Sequence, residues 1–533
     1  MDTIADKVVQ RANTMESDRS MHVSVWLKCL NYSYPLLANG FYGTSITAQD
    51  GLSKMGELND STTTESVRVF TSHLVDGMVP SNQVWFGLSV PGASDDDKQW
   101  LSEAAKTIWR NIHTANFDST AYESCLMAIC AGWFVMYAEE GENGGYHFEQ
   151  WPIPECYVAS SKPGGKVDII YRRFQYTAEQ AMEKYGDALS DEVKDLIEKG
   201  KQNEKVEFVH AIYPRRLSVS NPRLAKNLPF ASVHVEYKTK KLLKESGFHE
   251  FPCAVPRYNL IPGTPYAVGP VFEAIADSAT LNKIKEMEMA NMDMAIGGLW
   301  VAEDDGVINP RAIKIGPRRV IVANSVDSIK PLQPSTNFQV AFMSEEKLQA
   351  QIRKILLADI LPPLEGQPRT AAEIHMRMQY IRQMLGPVFG RLQAEWLQTL
   401  IERCFGIAFR AGVLGQPPSS LANKVMSVKY ESPLARAQKM ADVNAIDQYV
   451  AGLVQASAVD PSVMDNVNLD KAARYRGEAL GVPTEIIPTT DEIKEKRANR
   501  EQAQQQMQQE QLGMNIAQEA GTAAAKKLIT GGA

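Results

Sequence analysis

The segment from Leu361 to Arg369 constrains the fold more than any other part of the chain, since it contains three prolines and one glycine in nine residues. Proline lacks the backbone donor that a helix needs and its ring clashes with the preceding turn, so no helix continues through this segment. The capping box Thr370-Ala371-Ala372-Glu373 follows at once and marks a new helix, which extends about 60 Å to Gly412. We predict a loop between two helices, with a kink in the second at Gly386-Pro387. A helix of this length either braces a larger assembly or forms a long core.

Two shorter helices are predicted ahead of the loop, on either side of a region with a β pattern. The first runs from Pro270 to Gly297 over about 40 Å, with proline in its first turn and glycine at its end. It carries five acidic and two basic residues, and its second half is rich in methionine. The second starts at Ser344, a favourable cap residue, and places Leu348 and Ile352 on one apolar face.

The remaining sequence mixes the two periodicities, which predicts an α+β fold, the N-terminal half included. Strands are predicted over 84–88, 133–140, 146–149, 157–160, 167–174, 206–213 and 232–237. Helices are predicted over 61–77, 95–113, 119–131, 177–199, 432–453 and 470–480. The tail after Asp491 is rich in Gln, Ala and charged residues, and we expect a frayed helix or disorder there.

The composition is that of a folded protein without broad affinity for nucleic acid. Its net charge is −7, whereas coating nucleic acid needs a clustered positive excess. The N terminus lacks a secretory signal, and no apolar stretch approaches the ~20 residues of a membrane span. We therefore expect a soluble intracellular protein. Its six cysteines include no Cys-x-x-Cys pair and are expected to be buried, reduced thiols.

The sequence contains none of the short motifs that mark common catalytic sites. No phosphate-binding loop, dinucleotide-binding fingerprint, zinc-protease helix or nucleophile elbow is found. The eight histidines are widely separated and lack metal-ligand spacing. Adjacent carboxylates such as Asp96-Asp97 and Asp304-Asp305 point apart in a strand and into solvent in a turn. We predict a protein that is not an enzyme and needs no cofactor or metal.

Four segments stand in an unusual order: Tyr266-Ala267-Val268-Gly269-Pro270, Gly366-Gln367-Pro368-Arg369-Thr370-Ala371-Ala372-Glu373, Leu385-Gly386-Pro387-Val388-Phe389 and Leu392-Gln393-Ala394-Glu395. Together with the predicted succession of a helix, a β-containing segment, a second helix, a loop and a long kinked helix, this order resembles the portal, or head-to-tail connector, proteins of short-tailed, podovirus-type bacteriophages. The resemblance covers almost the whole chain. The chain departs from the family at Tyr266-Ala267-Val268-Gly269, where relatives tend to carry an arginine in a Tyr-Gly-Arg sequence.

The resemblance implies a portal-type protomer that assembles as a dodecameric ring around a central channel. Its regions would be an α/β wing, a helical stem, a small α/β clip, a long kinked helix and a helical C-terminal crown. They map to a wing over 1–268, stem helices over 269–298 and 344–360, a clip over 299–343, a tunnel loop over 361–369, the long wing helix and following segment over 370–430, and a crown with a low-complexity tail over 431–533.

The resemblance also implies a role and a set of partners. The ring would form a channel at one capsid vertex through which double-stranded DNA is packaged, retained and ejected. The implied partners are the packaging ATPase (terminase large subunit), the major capsid and scaffolding proteins, and tail adaptor or nozzle proteins. The protein would assemble in the host cytoplasm and reside in the virion, at the portal vertex of the head.

Candidate contact residues follow from this mapping. The tunnel-loop candidates are Pro362, Pro363, Glu365, Gly366 and Arg369. The stem-channel candidates are Lys283, Lys285, Glu286 and Asp293. The clip candidates for partner docking are Arg311, Lys314, Arg318 and Arg319. An acidic stem would repel phosphates while sparse cations position the duplex weakly.

Several of these residues have a plainer interpretation. Arg369 would contact DNA or close the channel, or else it is a solvated arginine or a partner of Glu365 or Glu373. The clip cations face an acidic partner or DNA, or are ordinary strand-edge charges. The methionines of the first stem helix are core residues, or they pack between ring subunits and tolerate small shifts.

Two other classes of protein remain as alternatives. A scaffold or tail structural protein without a DNA channel would need no inner-wall loop. A packaging nuclease or ATPase would need a nucleotide loop or a carboxylate cluster.

Overall fold

A computed structural model describes residues 3–38, 40–41, 56–141, 144–215, 224–297, 299–302, 329–332, 338–360, 386–421, 427–430, 433–458, 460–480, 492–500 and 502–504. Within these ranges helices alternate with antiparallel strands, so the α+β prediction is confirmed. The helices are α1 Ile4–Ser33, α2 Thr62–Met78, α3 Asp95–Thr114, α4 Phe117–Ala131, α5 Ala178–Tyr185, α6 Asp191–Glu198, α7 Val271–Gly297, α8 Phe338–Ile355, α9 Gln398–Arg410, α10 Pro433–Ser457 and α11 Leu469–Leu480.

The strands pair in five small sheets. They are β1 Phe86–Ser89, β2 Val135–Glu140, β3 Tyr146–Trp151, β4 Cys156–Ala159, β5 Ile169–Thr177, β6 Lys205–Pro214, β7 Phe230–Glu236, β8 Leu242–Phe248, β9 Cys253–Ala254, β10 Asn259–Leu260, β11 Ala267–Val268, β12 Leu299–Ala302, β13 Ile329–Leu332 and β14 Ser427–Tyr430. All seven predicted strands are confirmed to within a few residues, whereas β8, β9, β10, β11 and β14 were not predicted.

The chain divides into two compact units, each built from two stretches of sequence. The first comprises Met1–Val84 and Thr107–Gly415, and the second Trp85–Lys106 and Gln416–Ala533. In the second unit, β1 pairs with β14, and α10 packs against α11. The predicted region boundaries stay predictions.

A five-stranded antiparallel sheet, in the order β4-β5-β6-β7-β8, forms the largest layer of the first unit. Side chains alternate between its faces, so Tyr171 and Val209 pack against α1 while Phe174 and Phe208 pack against α5 and α6. Residues 177–199, predicted as one helix, form the two helices α5 and α6. Gly186, whose φ is +52°, separates them.

Helix α1 was not predicted, although it is the longest helix described. Thr3 and Asp6 cap its start reciprocally, and its buried face packs on the sheet. Arg19 fixes its middle, because the buried Nη1 donates to the carbonyls of Ile153 at 3.0 Å and Cys156 at 3.2 Å. The first carbonyl belongs to the turn before β4 and the second to the first residue of β4, so one charged side chain joins helix and sheet.

Two glycines let the end of α4 cross the start of α7 at close range. Gly132 ends α4 with a φ of +94°, and a Cβ there would lie 2.2 Å from the carbonyl carbon of Val268. A Cβ on Gly269 would lie 2.1 Å from the carbonyl oxygen of Ile129. The base of α7 is thereby held against the core of the unit.

The second stem helix differs from its prediction at the N terminus. Helix α8 begins at Phe338 rather than at Ser344, so Ser344 lies within the helix. A cap residue permits a helix start but does not require one, and residues 338–343 contain no glycine or proline to end a helix.

The six cysteines are buried and form no disulfide, as predicted. Burial raises the pKa of every one of these thiols, to about 12 for Cys29 and Cys130. None of the helices in the described ranges combines the length and the apolar character of a membrane span.

Candidate functional site

Helices α7 and α8, which are predicted to form the stem, pack against each other and share one buried ion cluster. The ammonium of Lys285 bonds the carboxylate of Glu345 on α8 and lies 3.4 Å from Glu288 on its own helix. All three side chains are at most one quarter exposed. Burial alone would lower the pKa of Lys285, but the neighbouring carboxylates of Glu345 and Glu288 raise it above its ordinary value.

This cluster has more acceptors than donors. Gln349 donates from Nε2 to Glu345 and to Asp60, each at 3.1 Å. One oxygen of Glu288 and one of Glu345 nevertheless have no hydrogen-bond partner among the described residues. Two carboxylates on one ammonium leave a net negative charge between the helices, so Lys285 is the group that makes this packing possible.

Helix α2 holds the base of α7 through polar contacts. The backbone N–H of Asn59, just ahead of α2, donates to Oδ1 of Asn282 at 2.7 Å. The hydroxyls of Thr63 and Ser278 lie 2.8 Å apart, and both residues are buried. The stem is thus attached to the unit at the level of its first three turns.

The outer side of α7 is exposed and carries both charge and apolar surface. Lys283 and Glu286 form an exposed ion pair at 2.9 Å, and Asp293 is also exposed. Met287 and Met292 are each more than half exposed, and Met289 is nearly so. Of the two interpretations of the methionines, a core role in the isolated chain is wrong for these three.

The predicted contact residues divide into three groups. Lys283, Glu286 and Asp293 lie on the exposed surface of α7, whereas Lys285 is engaged in the cluster with Glu345. The tunnel-loop candidates Pro362, Pro363, Glu365, Gly366 and Arg369 lie outside the described residues. The clip candidates Arg311, Lys314, Arg318 and Arg319 lie outside them too. All remain predictions as contact sites.

The described part of the long helix is anchored to the loop that precedes the stem. Arg391 donates from Nη1 to the carbonyl of Tyr258 at 2.7 Å. Glu395 binds Arg257 from a π-helical turn, Gln393–Leu397, that widens the helix. Sequence reasoning missed both contacts, because neither an isolated arginine nor a single inserted residue leaves a periodic signal.

The segment leading into α7 is held by buried aromatic rings. Trp26 donates from Nε1 to the carbonyl of Ala267 at 3.0 Å. Its ring centroid lies 5.3 Å from that of Tyr266 and 5.5 Å from that of Trp133. The Tyr266-Ala267-Val268-Gly269 segment is thus fixed from three sides before the stem begins.

No metal site accompanies this arrangement in the part of the chain that the structure describes. No three His, Cys, Asp or Glu side chains there are grouped so that they could hold an ion.

Comparison with known proteins decides the family. The model of the family described as "Bacteriophage head to tail connecting protein" matches residues 5–487. The chain belongs to this family. The connector is 28% identical to the portal protein of Salmonella phage epsilon15, over 98% of this chain and 95% of that protein. It is 24% identical to the probable portal protein of Bordetella phage BPP-1, over 94% and 92% of the two chains.

The predicted resemblance to portal proteins is therefore confirmed, and the family is one of structural head-to-tail connectors. Two solved structures are more distantly similar to this connector. A chain in the neck of an empty gene transfer agent particle aligns with a TM-score of 0.35 at 13% identity, over 75% of this chain and 90% of that chain. A chain of the native gene transfer agent virion aligns with a TM-score of 0.34 at 12% identity, over 81% and 94%. Because both scores are low, the assignment depends on the sequence comparisons alone.

Proposed function

We propose that this connector is a phage portal protein that forms a dodecameric ring with a central DNA channel at one capsid vertex. The observation that carries the proposal is the family match over residues 5–487, together with two relatives named as portal proteins over nearly their full length. Double-stranded DNA passes through the ring during packaging, is retained, and leaves during ejection. The ring resides in the virion head and assembles in the host cytoplasm.

The stem supports this proposal through its surface. Helix α7 exposes methionines beside charged residues, and a single protomer leaves that apolar surface in water. Packing between neighbouring stems would bury it, and flexible thioethers tolerate small shifts between subunits. The acidic balance of α7 would keep DNA from binding tightly as it passes.

The partners of the ring follow the same proposal. The clip, over 299–343, docks the packaging ATPase (terminase large subunit) during loading and the tail adaptor or nozzle proteins afterwards. The ring also contacts the major capsid and scaffolding proteins. The protein has no catalytic role in this scheme, and the hydrolysis of ATP belongs to the partner.

The first experiment is the native mass of the purified chain, with particle images taken in parallel. We expect a species of about twelve times 59.1 kDa with a central hole. A protein that stays monomeric alone and in the presence of scaffolding protein would contradict the ring. ATP turnover by the purified chain would instead support the packaging-enzyme alternative.

A second experiment separates a channel from a scaffold or tail role. Deletion of 362–369, with Arg369→Ala as the milder variant, should leave rings intact but impair DNA packaging or retention. Intact rings that package and retain DNA as the wild type does would favour the scaffold or tail alternative.

A further inference from the structure

The five-stranded sheet separates two helical layers whose exposed surfaces differ in charge. Helices α5 and α6 cover one face, and residues 178–198 there contain seven acidic side chains against two basic ones. Glu179, Glu183 and Asp187 are all exposed, and none of them forms an ion pair with another described residue. This outer layer, which we name the acidic layer (178–198), therefore presents these three unpaired carboxylates, whereas Asp195 and Glu192 pair with Lys199 and Lys238.

An open groove of about 930 Å³ runs beside α1, which covers the other face of the sheet. Its walls are α1 and two glycine-containing turns, 162–165 and 262–265. Three exposed cations line it, Lys7, Arg11 and Lys162, against one exposed acid, Asp18. None of the three cations forms an ion pair within the described ranges. We name this feature the basic groove.

We propose that the basic groove of one protomer receives the acidic layer of a second copy of the chain. The inference rests on the proposed ring and identifies a surface that holds it together. The two surfaces lie on opposite faces of one sheet, so each copy presents both halves of the contact. Such a contact is heterologous, repeats head to tail, and generates a ring when its rotation closes.

The spacing of the charges suits this pairing. Lys7 and Arg11 are one helical turn apart on α1, and Glu179 and Glu183 are one turn apart on α5, so each pair lies on one side of its helix. Opposed rows of unlike charge orient the encounter and penalise contact between two like surfaces. Because these groups are exposed, salt weakens the contact.

The test uses two charge-reversed forms of the full chain. The groove variant carries Lys7→Glu, Arg11→Glu and Lys162→Glu, and the layer variant carries Glu179→Lys, Glu183→Lys and Asp187→Lys. Each variant alone opposes like charges at every contact, so we expect the concentration needed for ring assembly to rise about a hundredfold or more. An equimolar mixture should recover rings, since each reversed groove meets a reversed layer and each wild-type groove meets a wild-type layer.

Native mass spectrometry of the mixture, with the variants given different tags, should show rings of both chains in equal number. Lys28→Glu with Lys226→Glu is the matched control, because both lysines are exposed and neither lines the groove. It should assemble as the wild type does. Circular dichroism and the thermal midpoint establish that each variant is folded.

Three outcomes would overturn the inference, and they can be told apart. Rings of either folded variant with wild-type salt dependence would remove this surface from the interface and leave the proposed ring intact. Folded variants that fail alone and also fail when mixed would refute the pairing of groove with layer. A wild-type chain that forms no ring would refute the proposed function itself.

Discussion

Arg257 and Glu395 form a two-bonded ion pair that joins the loop before α7 to the described part of the long helix. Nε of Arg257 lies 3.0 Å from Oε2 of Glu395, and Nη2 lies 2.5 Å from Oε1. The backbone N–H of Arg257 donates to the same carboxylate at 3.1 Å. Both side chains are at least nine-tenths buried. This pair therefore anchors the described part of the long helix to the loop that leads into α7.

Removing one partner of this pair should destabilise the first unit strongly. Glu395→Ala leaves the guanidinium of Arg257 buried without its carboxylate, and we expect a loss of about 3 kcal/mol in free energy of unfolding. The measurement is urea unfolding followed by tryptophan fluorescence. The double variant Arg257→Met with Glu395→Leu is the control and should lose less than Glu395→Ala, because no charge remains buried. Equal losses would contradict this account.

The crossing of α4 and α7 predicts that the start of α7 tolerates no added methyl group. Gly269→Ala places a Cβ 2.1 Å from the carbonyl oxygen of Ile129, so backbone must move. We expect a clear drop in thermal midpoint and faster proteolysis near residue 269. Gly77→Ala adds the same methyl group in α2, where no heavy atom of the described residues outside the backbone of that helix lies within 4 Å, and it should be neutral or stabilising. A drop of the same size in both variants would refute the crossing as the cause.

The features that sequence predicted best are those set by local periodicity. Both helices over 95–131 and four of the five strands of the large sheet follow from apolar spacing, and α7 follows from Pro270 at its start and Gly297 at its end. Helix α1 was missed although its buried positions 5, 8, 9, 12 and 15 keep helical spacing. The Thr3 to Asp6 cap was a usable signal for it.

The contacts that build the site were beyond sequence reasoning for a physical reason. The bond between Lys285 and Glu345 joins residues sixty positions apart, and Arg257 and Glu395 are separated by 138. Such pairs depend on tertiary packing, and charge alone does not distinguish Lys285 from Lys283 two positions earlier. The connector family, by contrast, was recognisable because it depends on the order of segments along the whole chain.

Lys285 and Lys283 offer a matched comparison within one helix. Lys285→Met leaves Glu288 and Glu345 facing each other without a cation, and we expect a loss of roughly 2 kcal/mol in free energy of unfolding. Lys283→Met removes only an exposed pair with Glu286 and should change stability little. Urea unfolding of both variants is the measurement. A larger loss of stability for Lys283→Met than for Lys285→Met would contradict the structural role assigned to Lys285.

Two stacked histidines predict an acid-sensitive first unit. The rings of His210 and His234 lie 3.9 Å apart, and their nitrogens bond Ser232 and Tyr185 at 2.9 and 3.0 Å. Burial lowers the pKa of both histidines, to about 3 for His234, and nearby Lys184 and Lys244 lower it further. The folded state therefore resists protonation that the unfolded state accepts.

The direction of the pH dependence of stability follows from this difference in proton binding. Below a pH of about 6.5 the unfolded chain takes up protons that the folded chain does not, so stability falls as the pH falls toward 3. The slope reaches about 1.4 kcal/mol per pH unit for each histidine. Unfolding should be followed between pH 7 and about 5, where most carboxylates stay ionised and do not add to the slope.

His234→Gln removes one of the two stacked rings and should remove about half of the slope that this pair contributes, while the contribution of His73, whose pKa burial also lowers, stays. Ser232→Ala is the control, since it removes the hydroxyl that bonds His210 but keeps both imidazoles. It should lower stability at every pH and leave the slope as in the wild type. A slope that survives His234→Gln unchanged would mean that other groups titrate on unfolding in this range, and the stacked pair would then have no part in acid sensitivity.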